Sequence, residues 1–358
     1  MRAACRVMWV HHSTYYRWKC QVDRFGLDIL RPRERRHPRM PNAISRLVAQ
    51  RIVAFALGYS GLGPVRISAE LGRQAWGFLK RDVMYELEGK IAIVTGAGGK
   101  NGIGRGIATR LASEGAAVVV CDLNDSGTPD WGGLSAVVDE INASGGRAIG
   151  LTGSVADSGD VAGLVKGTIS EFGRIDILVN NAGAPAGPDR VAVVDLAEHD
   201  WDLVIGVNLK GTFLMSQAVG RHMIQRGGGG KIINMSSVSG KKGAARFAAY
   251  CSSKFGVIGF TQSLALELAE HRINVNAICP SLIETERVYD MAAVLKPDDG
   301  TTTEEWRDAM IERSNATNPL GRIGQAKDVA AVAAFLASSQ SDYLTGLAIN
   351  VAGGSFMG

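Results

Sequence analysis

The chain has 358 residues, 46% of them hydrophobic and 21% charged, a balance that fits a soluble globular protein of about two domains. No apolar run approaches the roughly 18 residues of a membrane span, and the basic N-terminus lacks the apolar stretch and small-residue cleavage site of a secretory signal. The net charge of +4 conceals a split: residues 1–83 hold 16 Lys and Arg against 5 Asp and Glu, and the remainder holds 23 against 30, which predicts two units of different origin or partner.

The first unit is the basic one. Residues 11–19, His-His-Ser-Thr-Tyr-Tyr-Arg-Trp-Lys, follow the apolar stretch 3–10 and read as the second half of a helix-turn-helix. Residues 44–57 and 63–71 offer a second helical pair, and the arginine-rich run 31–39 reads as an exposed linker. This segment resembles the N-terminal DNA-binding region of insertion-sequence transposases. The resemblance implies DNA binding, yet no transposase catalytic carboxylate domain follows. Residues 1–83 are therefore expected to be a vestigial helical segment, fused in frame upstream or included by an over-extended start, that contributes nothing to catalysis.

From Met84 the sequence becomes periodic and glycine-punctuated. Strand-like runs at 91–95, 117–121, 147–151, 175–180, 231–235, 273–278 and 347–351 alternate with helix-like stretches at 102–113, 134–143, 160–172, 201–225, 252–269 and 326–337. This alternation predicts an α/β fold, a doubly wound parallel seven-stranded sheet of Rossmann type over 84–358. The strands are apolar throughout, as strands buried on both faces are. The five cysteines, Cys5, Cys20, Cys121, Cys251 and Cys279, show no CxxC spacing. Free thiols in a reducing cytoplasm and no metal site are expected.

The first strand runs into Gly96-Ala-Gly-Gly-Lys-Asn101-Gly102-Ile103-Gly104, and a helix follows. Glycines there let the backbone approach a pyrophosphate resting on the helix N-terminus. Asp122 ends the second strand, 18 residues after Gly104, followed by Leu123. A carboxylate in that place accepts the ribose hydroxyls of NAD and repels the 2′-phosphate of NADP. Lys100 pulls the other way, so NAD is favoured and NADP is the less expected cofactor.

Tyr250-Cys-Ser-Ser-Lys254 opens a helix, and i, i+4 spacing puts phenol and ammonium on one face. A free phenol titrates near pH 10, so proton exchange at neutral pH needs positive charge nearby to favour the phenolate. Ser237 follows a strand, 13 residues before Tyr250, where its hydroxyl can bond a substrate oxygen; Ser236 competes with it and Ser239 does so more weakly. Asn180-Asn181-Ala182-Gly183 closes the fourth strand at the sheet's carboxyl edge, where ligands bind. Asn208 lies within the long helix-like stretch 201–225, where a buried amide can kink the helix and hold a water.

Together these features resemble the short-chain dehydrogenase/reductase family over 84–358. Thr95-Gly96, the Asn-Asn-Ala-Gly run, Ser237, Tyr250-x-x-x-Lys254 and the closing Asn318-Pro-Leu-Gly-Arg, Tyr343-Leu-Thr-Gly and Ala352-Gly-Gly segments fall in family order. Met84 stands eleven residues before Thr95, where a stand-alone member begins. The resemblance implies that Tyr250 is the acid/base, Ser237 orients the substrate, Lys254 supports the phenolate and holds the nicotinamide ribose, and Asn208 holds a proton-relay water. It also implies that Val155 lines the adenine pocket, that Asn181, Ala182 and Gly183 line the cofactor cleft, and that Pro280, Ile283 and Thr285 meet the nicotinamide amide. A homotetramer is implied too. Four positions depart from the family pattern: five residues, not three, separate Gly96 from Gly102; Ser154 replaces an aspartate; Ser281 replaces a glycine; and Ala352 replaces an aspartate.

The expected activity is hydride transfer between NAD(H) and a secondary alcohol or ketone: a polyol, sugar, diol or cyclic alcohol. A 3-oxoacyl thioester reductase is the alternative within the class, and a nicotinamide-sensing DNA-binding regulator the alternative outside it. Residues 282–317, with Val288, Tyr289, Met291, Trp306 and Met310, read as a substrate lid. Lys241, Lys242 and Arg246 read as a solvated turn, with attraction of an anionic substrate as the second reading.

Overall fold

The computed structural model describes residues 84–358 apart from 126, 128 and 129; the helical and helix-turn-helix expectations for 1–83 lie outside them. Strand and helix alternate as β1 (Ile91–Thr95), α1 (Ile103–Ser113), β2 (Ala117–Asp122), α2 (Gly133–Ala143), β3 (Arg147–Thr152), α3 (Ser158–Phe172) and β4 (Ile177–Asn180). The second half holds α4 (Glu198–Ile205), α5 (Gly211–Arg226), β5 (Gly230–Met235), α6 (Ala248–Leu268) and β6 (Ile273–Pro280). Then come β7 (Ile283–Glu284), α7 (Glu286–Leu295), α8 (Thr303–Thr317), β8 (Gly324–Gln325), α9 (Ala326–Ala337) and β9 (Ala348–Val351).

Seven strands form one parallel sheet in the order β3-β2-β1-β4-β5-β6-β9. Successive side chains alternate between two apolar layers. Ala92, Val94, Ile177 and Val179 pack with Leu111, Val137 and Val329; Ile93 and Leu178 pack with Leu164, Met215 and Leu268 on the other face. That double cover is why β1 and β4 are buried along their whole length. The rims differ from the expectation of uniformly buried strands: β3 mixes buried, half-buried and exposed residues, and β9 is half-buried throughout. At an edge the covering helices no longer seal both faces.

The winding reverses at β1, which pairs with β2 on one side and β4 on the other. A crevice at the carboxyl ends of β1 and β4 follows from that topology. Two features escaped the sequence pattern. The expected helix 201–225 is α4 and α5 joined by one π-helical turn, Gly206–Lys210, that carries the buried Asn208. Between β6 and α9, the two-residue strands β7 and β8 pair in parallel and frame α7 and α8. No helix among the described residues is long and apolar enough to cross a membrane.

Candidate active site

The glycine loop is fixed by close approach. Gly96 has φ 63°, and a Cβ there would lie 2.7 Å from Ala182 Cα; a Cβ on Gly104 would lie 2.4 Å from the Gly96 carbonyl oxygen. Neither position admits a side chain, so helix α1 sits hard against the turn. Thr95 Oγ1 accepts the N–H groups of Asn181 and Ala182, both at 3.0 Å. Asn181 Nδ2 donates to the carbonyls of Thr95 at 2.9 Å and Gly96 at 2.8 Å. The Asn-Asn-Ala-Gly run is thus laced to the end of β1. The N-cap of α1, Gly102, supplies no side-chain cap, which leaves the first-turn N–H groups of Ile103 and Gly104 for an anion.

Asp122 sits beside this loop. Its Oδ2 accepts Gly98 N–H and its Oδ1 accepts Leu123 N–H, both at 2.8 Å; Leu123 itself is exposed. The longer spacer of the loop finds its own anchors. Ala97 N–H donates to Cys121 O at 3.1 Å, Trp131 Nε1 donates to Gly98 O at 2.7 Å, and Asn101 N–H donates to Glu286 Oε1 at 3.1 Å. Arg105 stacks on the Trp131 ring at 4.9 Å and pairs with Glu140. Val155 packs against Gly211 at the start of α5.

The second half of the site hangs on helix α6. Lys254 is 5% exposed and donates from Nζ to Met235 O at 2.7 Å, at the end of β5. Ser236 Oγ donates back to Lys254 O at 2.8 Å, so that serine is spent on joining strand to helix. Ser237 stays in extended backbone with looser bonds: its Oγ accepts Ser239 N–H at 3.1 Å and donates to Pro280 O at 3.4 Å. Tyr250 lies one turn before Lys254, whose Nζ is 5.8 Å from the phenol ring centroid. Burial and the neighbouring Arg287 guanidinium hold the Lys254 ammonium down at about 7.

Asn208 Oδ1 accepts Ala184 N–H at 2.8 Å and its Nδ2 donates to Ser253 Oγ at 3.0 Å. The amide ties the loop after β4 to α6, with one lone pair and one N–H still open. At the end of β6, Pro280 O takes the Ser237 hydroxyl. The Ile283 side chain is buried against Gly324 of β8. Thr285 starts α7 without capping it by its side chain.

A comparison with known sequences and structures decides the family. Residues 96–355 match the family model described as Enoyl-(Acyl carrier protein) reductase. A short-chain reductase protein, NovJ, of Streptomyces niveus is 41% identical over 264 residues, 74% of this chain and 93% of the relative. The 2-dehydro-3-deoxy-D-gluconate 5-dehydrogenase of Dickeya dadantii is 37% identical over 75% of this chain and 96% of its own. A crystal structure described as a short-chain alcohol dehydrogenase, from Sinorhizobium meliloti 1021, superposes with a TM-score of 0.65 at 34% identity, covering 75% of this chain and 97% of the other. The chain belongs to the short-chain dehydrogenase/reductase family.

As a short-chain dehydrogenase/reductase it is an oxidoreductase of CH–OH groups that uses NAD(P). The groove fits that cofactor on its own chemistry: glycines too tight for a Cβ, an uncapped helix N-terminus, and a carboxylate at the end of β2. The sequence missed four residues here. Trp131 pins the glycine loop from a segment with no motif. Glu286 and Arg287, the first residues of α7, reach Asn101 N–H and Gly183 O (2.7 Å). Arg190, on a loop, places its guanidinium 4.7 Å from the Tyr250 ring centroid. None carries a spacing signal, because each acts across long sequence separation. The expected solvated turn also differs in detail. Lys241 Nζ donates to Ala348 O and Gly358 O, Lys242 lies over the Phe356 ring, and Arg246 Nε donates to Arg190 O. These cations hold backbone and ring.

Proposed function

We propose that the protein transfers hydride between NAD(H) and a secondary alcohol or its ketone, of the polyol, sugar, diol or cyclic-alcohol kind, by a Ser-Tyr-Lys mechanism. The observation that carries this reading is the stitching of α6 to the end of β5 at Lys254, which brings the buried ammonium, Tyr250 and Ser237 to one end of the sheet. The dinucleotide, when bound, accepts or supplies the hydride. Ser237 holds the substrate oxygen, Tyr250 takes or returns the hydroxyl proton, and Lys254 favours the phenolate and holds the ribose. Asn208, with its open lone pair and N–H, supports a water that relays the proton outward.

NAD is favoured over NADP by Asp122, whose carboxylate stands between Gly98 and Leu123 at the end of β2 and repels a 2′-phosphate. Pro280 at the end of β6 and Thr285 before α7 are read as nicotinamide contacts, Ile283 through its backbone, and Val155 as an adenine contact. The second reading, a 3-oxoacyl thioester reductase, is favoured by the acyl-carrier description of the matching family model. A cytoplasmic location and a homotetramer belong to the same reading, and exposed Phe213, Phe255 and Leu266 on α5 and α6 support an assembly. Residues 1–83 are read as a separate segment that takes no part in catalysis. In support, the Streptomyces and Dickeya relatives span 93–96% of their own length within 74–75% of this chain.

The test is absorbance at the reduced-nicotinamide band across a panel of polyols, sugar acids, cyclic alcohols and 3-hydroxyacyl thioesters, with NAD and NADP in parallel. Turnover with a secondary alcohol and NAD is expected, and Asp122→Ser is expected to erode the preference for NAD by at least about tenfold. Turnover confined to thioesters supports the second reading, and a preference for NADP in the parent overturns the role given to Asp122.

A further inference from the structure

Arg190 is almost fully enclosed, 3% exposed, beside an equally buried Asp189 whose carboxylate accepts from Arg190 Nη1. Its guanidinium faces two aromatic rings, Phe247 at 4.4 Å and Tyr250 at 4.7 Å. Those rings meet edge-on at 6.4 Å and 74°. Arg190 Nε is buried and has no hydrogen-bond partner. A buried guanidinium N–H left without an acceptor is costly, and the ring faces are what this side chain has in exchange. Its backbone oxygen accepts Arg246 Nε at 2.9 Å, and Arg246 has a left-handed φ of 66° immediately before Phe247. Asp189 in turn accepts Gly187 N–H at 3.2 Å. The loop after β4 and the loop before α6 are thereby locked together around the phenol.

We infer that Arg190 is a positioning residue for Tyr250: it clamps the phenol ring by its face and sets a second positive charge beside it, opposite in chain origin to Lys254. The inference rests on the reading of Tyr250 as the proton-transfer group. The charged and titratable groups that act on Arg190 are Asp189 beside it, Tyr250 and Cys251 on α6 and Arg287 on α7, and Arg246 bonds its backbone. Two cations flank the Tyr250 ring, Arg190 at 4.7 Å from its centroid and Lys254 at 5.8 Å. Asp189 fixes the guanidinium from the side away from Nε by accepting from Nη1, so the pair acts as one clamp.

Steady-state kinetics with one alcohol separate positioning from binding. In Arg190→Met kcat is expected to fall by about tenfold or more, with KM for the alcohol and NADH affinity within about twofold of the parent. Arg190→Lys recovers only part of kcat, because the planar clamp does not return. Asp189→Asn loosens the same clamp, so it lowers kcat too, and adding it to Arg190→Met costs little more. A parental kcat in an Arg190→Met that binds NADH, or a loss that falls on KM alone, overturns the inference. Where Arg190→Met does not bind NADH and so has not folded, Asp189→Asn decides: a parental kcat there overturns the inference. If Tyr250→Phe keeps full turnover, the underlying reading of Tyr250 fails instead, and the two failures are told apart.

Discussion

Lys254 carries the tightest electrostatic constraint in the site. A lysine buried to this degree loses the hydration that favours its charge, and Arg287 adds like-charge repulsion. Its ammonium is therefore half lost near pH 7 instead of far into the alkaline range. The sign is clear: taking away a positive neighbour favours the charged form, so the midpoint of Lys254 rises in Arg287→Met. The alkaline limb of turnover, where the ammonium disappears, is expected to move to higher pH in that variant. A pH–rate profile checks it, and a limb that stays or moves down contradicts the assignment. Tyr250, Lys254, Ser237 and Asp122 were legible because each stands at a fixed offset from a strand end or a helix start. Arg190 was not, because it reaches Tyr250 from a loop 60 residues away in the chain.

At the scale of elements, the glycine loop and the start of α7 share a contact. Glu286 presents its carboxylate to Asn101 N–H, in the loop whose donors the pyrophosphate of a dinucleotide seeks. On the proposed cofactor site, the Glu286 carboxylate and a pyrophosphate would compete for one set of N–H groups. Glu286→Gln weakens the internal competitor and its repulsion of phosphate, so NADH is expected to bind several-fold tighter, roughly 1 kcal/mol. Calorimetric titration of NADH measures this; weaker binding would make Glu286 a cofactor ligand instead. The strands and helices of the doubly wound sheet were legible from periodicity, and their ends fell within a few residues of expectation; helices α7 and α8 were not among the expected helices, and α8 buries no residue that would give it an apolar stripe. The π turn at Gly206–Lys210 was visible only as a misplaced asparagine, since one extra residue in a turn leaves the helical pattern nearly intact. The two-residue strands β7 and β8 are too short to carry any period, and they exist because Ile283 finds Gly324 across 41 residues.

The whole molecule divides its charge where its chemistry begins, near Met84. The doubly wound order β3-β2-β1-β4-β5-β6-β9 puts both halves of the site at the carboxyl ends of β1, β2, β4 and β5. A site at the carboxyl edge was legible from the motifs that follow the apolar runs; the thinning of cover over β3 and β9 was not, because strand order is invisible in one sequence. A fragment beginning at Met84 is expected to keep turnover within about twofold of the full chain and to sediment as a tetramer. Loss of activity in the fragment would give residues 1–83 a catalytic role, and a monomer would remove the assembly read from α5 and α6.

In the proposed reaction Tyr250 exchanges the substrate proton while hydride moves to or from NAD. Reduced nicotinamide is to be followed in the parent and in Tyr250→Phe with the same alcohol. The expected result is a fall in kcat of roughly 10³-fold with NADH affinity unchanged. Turnover of Tyr250→Phe at the parent's rate would contradict it.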